Sequence, residues 1–240
     1  MRKRGVAFIS MLVCASAITL AGCSAGPTVT EERDVNGVES VSMSGIGRLE
    51  IEQGPSESLE VEGPERIVEA LKTRMEGSEL RIEYDAGFLS GLWGTGREPV
   101  IRLTVEDLSR VDLSGAGSIE VDSLTTDSFE LEVSGAGNAA IDDLQATRLK
   151  CTLSGAGNFE VSGQVFEQNV DLSGAGSFQA ADLRSSRADI EVSGAGSAKL
   201  WVTQELDLRL SGAGDIEYWG NPRVNQDVSG AGSIESLGSK

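Results

Sequence analysis

Histidine is absent from all 240 residues. That removes the side chain whose charge changes near neutral pH, the usual base of Ser-His-Asp and Cys-His catalysis, and the commonest metal ligand. Aromatic residues make up only 5% of the chain, so a core must be built mainly from Val, Leu, Ile and Ala. Cysteine occurs three times, at Cys14, Cys23 and Cys151. Cys14 lies in an export leader and Cys23 is accounted for below, so Cys151 has no intramolecular partner and no disulfide framework is expected. Cys151 runs in phase with Leu149 and Leu153, which reads as a small buried apolar residue and not as a nucleophile. Basic residues are scarce: 20 Lys and Arg face 38 Asp and Glu, for a formal net charge of −18. Arg2, Lys3 and Arg4 sit in the leader, so its removal takes −18 to −21. A field of that sign repels phosphate backbones, and no nucleic-acid partner is expected. No cofactor or metal is expected.

The apolar run from Val6 to Leu20, behind a basic start, is too short for a comfortable membrane span and reads as an export signal. It ends in Leu20-Ala21-Gly22-Cys23, which resembles the lipobox of bacterial lipoproteins. The resemblance implies cleavage after Gly22, leaving residues 1–22 as signal peptide, and acylation of Cys23 with palmitate-type chains. Several acyl chains on one residue make a stable anchor, since each buried methylene contributes roughly 0.8 kcal/mol. Ser24 follows, where retained inner-membrane lipoproteins often carry Asp, so the resemblance favours an outer-membrane or cell-surface location. Residues 23–34 are small and charged and read as a tether.

Glycine, by contrast, is abundant at 30 residues, and it is distributed by a repeat. Ser-Gly-Ala-Gly starts at Ser114, Ser134, Ser154, Ser173, Ser193, Ser211 and Ser229, at intervals of 20, 20, 19, 20, 18 and 18 residues. A weaker relative, Ser44-Gly45-Ile46-Gly47, appears earlier. Between the turns, apolar and polar residues alternate, as in Phe129, Leu131 and Val133, so one face of each strand is buried. A unit of 18–20 residues cannot bury its apolar side alone, but stacked copies can. The expected fold is therefore all-β: a parallel β-helix (β-solenoid) of coils of about 20 residues, with five or so polar residues linking the strands. Seven coils at about 4.8 Å each would form a rod roughly 30–35 Å long. Glycines at the turns would stack without side-chain collision, and Ala would add a small apolar peg. Ser, Asn or Asp after each turn (Ser118, Asn138, Asn158) would form a polar ladder. The competing geometry is an antiparallel meander with each Ser-Gly-Ala-Gly at a hairpin tip.

The domain is expected to span 35–240, with an N-terminal capping part over 35–110 and the repeats over 111–240. In the capping part, helical spacing of Ile67, Val68, Leu71 and Met75 after Pro64 predicts one short helix ending near Gly77. The combination of "VESVSMSGIGRLEIEQG", "PERIVEALKTRMEGSELRIEY" and the repeated "LSGAGSIEV", "VSGAGNAAI" and "LSGAGNFEV" resembles the auto-transporter adhesin head GIN domain family. The likeness runs from about Val35 to the C-terminus and implies a β-helix-like adhesin with no family active site to carry over. The chain ends at Lys240 without room for a barrel of its own, so lipid on Cys23 would take the place of that anchor.

No residue cluster stands out as catalytic. Gly-Ala-Gly precedes a strand and recurs seven times, unlike a dinucleotide fingerprint. Glu120, Glu160, Glu191 and Glu217 fall on polar strand positions and read as outward residues of a wet sheet. The aromatics say more. Trp201 and Trp219 are one repeat apart, so they would lie on adjacent coils, and with Tyr218 they form a candidate platform for sugar rings or a protein. Trp93, with Phe88, Leu89 and Leu92 in a Gly-rich loop, is a second candidate patch or a cover for the open end of the solenoid. The expected function is non-enzymatic: a lipid-anchored cell-envelope protein that presents a rigid acidic solenoid for adhesion, or for binding a glycan or envelope protein. The alternatives are a glycan-active β-helix enzyme using surface carboxylates, and an envelope scaffold without an external ligand.

Overall fold

The computed structural model describes residues 27–84 and 98–240. The N-terminal part comprises β1 (Thr28–Arg33), β2 (Ser40–Gly45), β3 (Arg48–Gln53), β4 (Ser58–Pro64), α1 (Glu65–Ala70), β5 (Leu71–Glu76), β6 (Glu79–Tyr84), β7 (Val100–Val105) and β8 (Arg110–Gly115). The repeats follow as β9 (Ser118–Gly135), β10 (Asn138–Gly155), β11 (Asn158–Gly174), β12 (Ser177–Gly194), β13 (Ser197–Gly212), β14 (Asp215–Trp219), β15 (Arg223–Gly230) and β16 (Ser233–Ser236). Each of β9 to β13 is one whole coil, and β14 with β15 makes another. The seven Ser-Gly-Ala-Gly turns thus delimit six coils.

Successive coils pair in parallel, which decides for the solenoid over the meander. Alternation puts like above like. Ile119, Ala139, Phe159, Phe178, Ala198 and Ile216 form one buried column. Its two phenylalanines are stacked between two alanines, which keeps the interior filled without crowding. Cys151 is buried in another inward column, between Leu131 and Val170, and burial pushes its thiol well above the ordinary range. The polar connectors do not leave the ladder as loops. Ser123–Thr126 and Ser128 pair with β10, and Leu124 turns inward at the corner. Among the described residues, two polar side chains break the apolar rule inside: Gln168 and Ser185 are both buried.

The turns stack by backbone contact. The alanine N–H of each turn donates to the first glycine carbonyl of the turn below, as in Ala136 to Gly115 and Ala156 to Gly135, both 2.8 Å. The second glycine is buried in every Ser-Gly-Ala-Gly turn but the last, and the alanine, the small apolar peg of the turn, faces solvent. The polar ladder does form in part: Asn158 Nδ2 donates to Asn138 Oδ1 at 3.1 Å, and Ser177 Oγ donates to Asn158 Oδ1 at 2.6 Å.

At the N-terminal end, the stacking order departs from chain order. β2 lies between β6 and β8, and β3 lies between β7 and β9, all in parallel. The Ser44–Gly47 turn therefore sits directly under Ser114–Gly117, with Ser44 Oγ and Ser114 Oγ 3.0 Å apart. Antiparallel strands close this end: β4 on β7, β1 on β4, and β5 on β6. Residues 28–33 of the expected tether thus belong to the sheet. Arg33 of β1 donates to the carbonyls of Val68 and Leu71 at 2.9 and 2.8 Å, satisfying the end of α1. The helix stops at Ala70, short of the expected Met75, because Leu71 is extended and Leu71, Thr73 and Met75 alternate as a strand. Gly77, with φ 69°, turns the β5–β6 hairpin and does not end a helix.

Candidate binding surface

On the outside of the rod, the parallel register lines up Thr125, Gln145, Gln164, Arg184, Trp201 and Trp219, each the partner of the next. The two tryptophans expected on adjacent coils are therefore neighbours, both half-buried and on the outer face. Tyr218 alternates to the other face: it is the register partner of buried Leu200 and packs against the core. Trp93 and Cys23 lie outside the described residues. Beside the column is a groove of about 310 Å³ lined by Gln145, Gln164, Phe166 and Arg184, among others. Phe166 is 46% exposed, and the Arg187 guanidinium stands 5.5 Å from its ring centroid.

The column changes character where coil length falls from 20 to 18 residues. Ala180 pairs with Leu200 and Arg184 with Trp201, so Ala181, Asp182 and Leu183 bulge out without partners on β13. Leu183 turns inward and is buried, while Asp182 is exposed. Lys240 reaches this bulge. Its ammonium donates to the Ala181 carbonyl and to Asp182 Oδ1, both at 2.6 Å. The same nitrogen lies 5.1 Å from the Trp201 ring centroid and 5.7 Å from that of Trp219.

The four glutamates read from the sequence as outward residues are exposed or half-buried on the strands. Glu120, Glu160 and Glu217 share one outward column, but Ala140, Gln179 and Lys199 interrupt it, and Lys199 pairs with Glu217 at 2.9 Å. Glu191 stands in a different column, opposite Asp171 and Arg209. A groove of about 500 Å³ near the capped end is lined by Glu50, Glu60, Arg102, Glu120 and Asp122, among others. Arg102 binds Glu62 and Glu60 at 2.8 Å each and Glu50 at 3.1 Å. The hydrogen bond that Arg102 donates to Glu62, then the one it donates to Glu60, raises its pKa. Among the described residues, no group of three or more His, Cys, Asp or Glu is placed to hold a metal ion. Nor is any described helix long and apolar enough to cross a membrane.

Gln145, Gln164, Arg184 and Phe166 were not legible as surface partners of the tryptophans. Counted from their turns, Gln145, Gln164 and Arg184 sit at different offsets from Trp201. The bulges that shift the register between Ile141 and Leu144, Glu160 and Gly163, and Ala180 and Arg184 bring them into line.

The fold matches solved structures along nearly its whole length. A protein from Bacteroides fragilis, named a putative adhesin, superposes with a TM-score of 0.84 at 22% identity, covering 88% of this chain and 97% of that one. A protein from Parabacteroides distasonis, named a putative lipid binding protein, gives 0.70 at 24% identity, with 88% and 97% covered. A putative adhesin from Parabacteroides merdae gives 0.67 at 18% identity, again with 88% and 97% covered. At these identities the likeness shows the fold. No curated protein matches. The sequence model described as "Putative auto-transporter adhesin, head GIN domain" matches residues 38–222, which include most of the cap and five of the six coils. The chain belongs to the auto-transporter adhesin head GIN domain family.

Proposed function

We propose that the protein is a non-enzymatic, lipid-anchored component of the bacterial cell envelope that presents its acidic solenoid for binding a glycan or another envelope protein. The observation that carries this reading is the outward column of Gln145, Gln164, Arg184, Trp201 and Trp219. Amides and a guanidinium offer directed hydrogen bonds, and two indoles offer flat apolar faces, on a scaffold held rung by rung. The adhesin names of the family and of two structural neighbours support the same class. One neighbour is named for lipid binding; here the interior is packed with side chains such as Phe129, Phe159 and Phe178, which favours an exterior ligand.

Anchor and surface are consistent with each other. β1 begins at Thr28, five residues after Cys23, and lies in the cap. Acyl chains on Cys23 would hold the capped end at the membrane. Trp201 on β13 and Trp219 on β14 then stand four and five coil spacings from β9, about 20–25 Å further along the rod. Replacing Cys23 with Ala is expected to release the protein into the soluble fraction. Trp201→Ala and Trp219→Ala are expected to weaken binding to envelope glycans or proteins on arrays and in pull-downs. Membrane retention of the Cys23 variant would overturn the anchor, and undiminished binding by both tryptophan variants would overturn the surface.

The second reading, a glycan-active enzyme, draws on the carboxylates that line the groove at Glu50, Glu60, Glu120 and Asp122. Arg102 already binds Glu50 and Glu60, which favours a structural role for them. Glycan cleavage by the purified protein that is lost in Glu120→Gln would establish the enzyme instead.

A further inference from the structure

The step between long and short coils leaves hydrogen-bonding capacity exposed. Ala181 and Asp182 have register partners on neither β11 nor β13. A lone bulge of this kind presents a carbonyl and a carboxylate to water. Here the register places two indole faces beside them, and an ammonium already lies among all four groups.

We propose that the Ala181 carbonyl, Asp182, Trp201 and Trp219 form a binding site for a primary alkylammonium, filled in this structure by Lys240 and open to the lysine side chain of a partner protein in its place. The inference rests on reading the solenoid as a binding protein and names the chemistry that its aromatic surface takes. A primary ammonium carries three N–H donors. Two meet Ala181 O and Asp182 Oδ1 at 2.6 Å, and the remaining charge faces the indole rings. A quaternary ammonium would satisfy the rings and leave both oxygens without a donor. The occupant is held by a short reach of chain: Leu237 N–H donates to Tyr218 O at 2.8 Å, and Gly220 N–H to Gly238 O at 2.7 Å, before Ser239 and Lys240. Lys240 therefore acts as an internal competitor. It lowers the apparent affinity for an outside lysine by the fraction of time it fills the site.

The test uses the full chain with Trp93→Phe, so that Trp201 and Trp219 supply the tryptophan emission. The probe is Nα-acetyl-lysine N-methylamide. In the Lys240→Ala variant, emission is expected to change saturably, with an apparent Kd about 10-fold below that of the Lys240 parent. In that variant, adding Asp182→Asn or Trp201→Ala is expected to weaken binding by about 10-fold each, and the Nε-trimethyl probe by a similar factor. Asp182 is exposed on the bulge, so its carboxamide isostere decides the matter even if Trp201→Ala disturbs a coil. No saturable binding to Lys240→Ala, equal affinity for parent and variant, or indifference to Asp182→Asn would overturn the site. Glucosamine binding as tightly as the lysine probe would overturn the assignment to a lysine side chain. These titrations read the ammonium site alone; the anchored-binder reading is decided separately, by fractionation of Cys23→Ala and by envelope binding of the tryptophan variants.

Discussion

Gln168 Nε2 donates a 2.8 Å hydrogen bond to Ser185 Oγ inside an otherwise apolar interior. Gln168 stands in the column between Leu149 and Ala188 and is fully buried. Ser185 passes the bond on, donating to the Trp201 carbonyl at 3.2 Å, so a polar thread joins the core to the rung that carries the aromatic surface. Gln168 Oε1 makes no hydrogen bond. An unpaired buried carbonyl opposes folding by about 1–3 kcal/mol. Gln168→Leu is expected to raise stability by about 1 kcal/mol, because it removes the orphan oxygen while Ser185 keeps its acceptor. Urea denaturation followed by circular dichroism measures this; a fall in the midpoint would mean that the amide positions β12 in a way its single bond does not reveal.

The turn column makes the opposite kind of prediction. Gly155 has φ 136° and stacks on Gly135, whose carbonyl a Cβ at 155 would strike. That carbonyl also accepts the Ala156 N–H at 2.8 Å. Gly155→Ala must both strain its own backbone and push the two coils apart, at a loss of about 3 kcal/mol or more. Ala156→Ser, one residue on and exposed, is expected to stay within about 0.5 kcal/mol of the parent. Thermal melts of the two variants make the comparison, and equal melting would refute close stacking of the turns.

That contrast also marks how far the sequence could be read. The repeat was legible because parallel coils place each residue over its counterpart, so spacing in the chain becomes spacing in the rod. Trp201 and Trp219 are the clearest case. Legibility failed where pairing ignores chain order. β2 stacks on β8 across some 70 residues, and only the likeness of Ser44–Gly47 to the later turns hints at it. It failed again at Leu71–Glu76, where apolar residues fit a helix and a strand equally well and pairing with β6 settles the choice. The ammonium site needed both a bulge, which no motif announces, and the fold-back of Lys240 from 58 residues beyond Asp182.

Outside the rod, Glu130 bridges Arg110 and Lys150, each at 2.6 Å. The Lys150 hydrogen bond has the largest effect and lowers the Glu130 pKa; burial opposes it, and the Arg110 charge adds to the lowering, so the carboxyl stays below its usual value. A depressed carboxyl adds stability that is full above its unfolded pKa, near 4.3, and is lost as pH falls through the lower folded value. Glu130→Gln is therefore expected to be less stable than the parent above about pH 5 and to converge with it in stronger acid. Because the trio is partly exposed, the neutral-pH difference should be at most about 1 kcal/mol and should shrink in high salt. Denaturation midpoints at several pH values test it, and a gap that persists unchanged in strong acid would assign the effect to packing instead.

The far end of the rod is finished differently from the cap. β15 pairs with β13 alone, leaving one edge unpaired by any described strand. Leu131, Cys151, Val170, Ile190 and Leu208 form an inward column, and on this last coil the column ends in Gln226. Arg223 and Asp227 add charge along the same strand. A polar last rung and a charged edge are what keep a stacked repeat from recruiting another copy. Gln226→Leu would extend the apolar column to the surface beside Val228, which is already 43% exposed. Sedimentation velocity is expected to show self-association of Gln226→Leu that grows with concentration, while Gln226→Glu sediments as the parent does. If the leucine variant sediments as the parent does, Gln226 is not what guards this end, and the charges on β15 suffice.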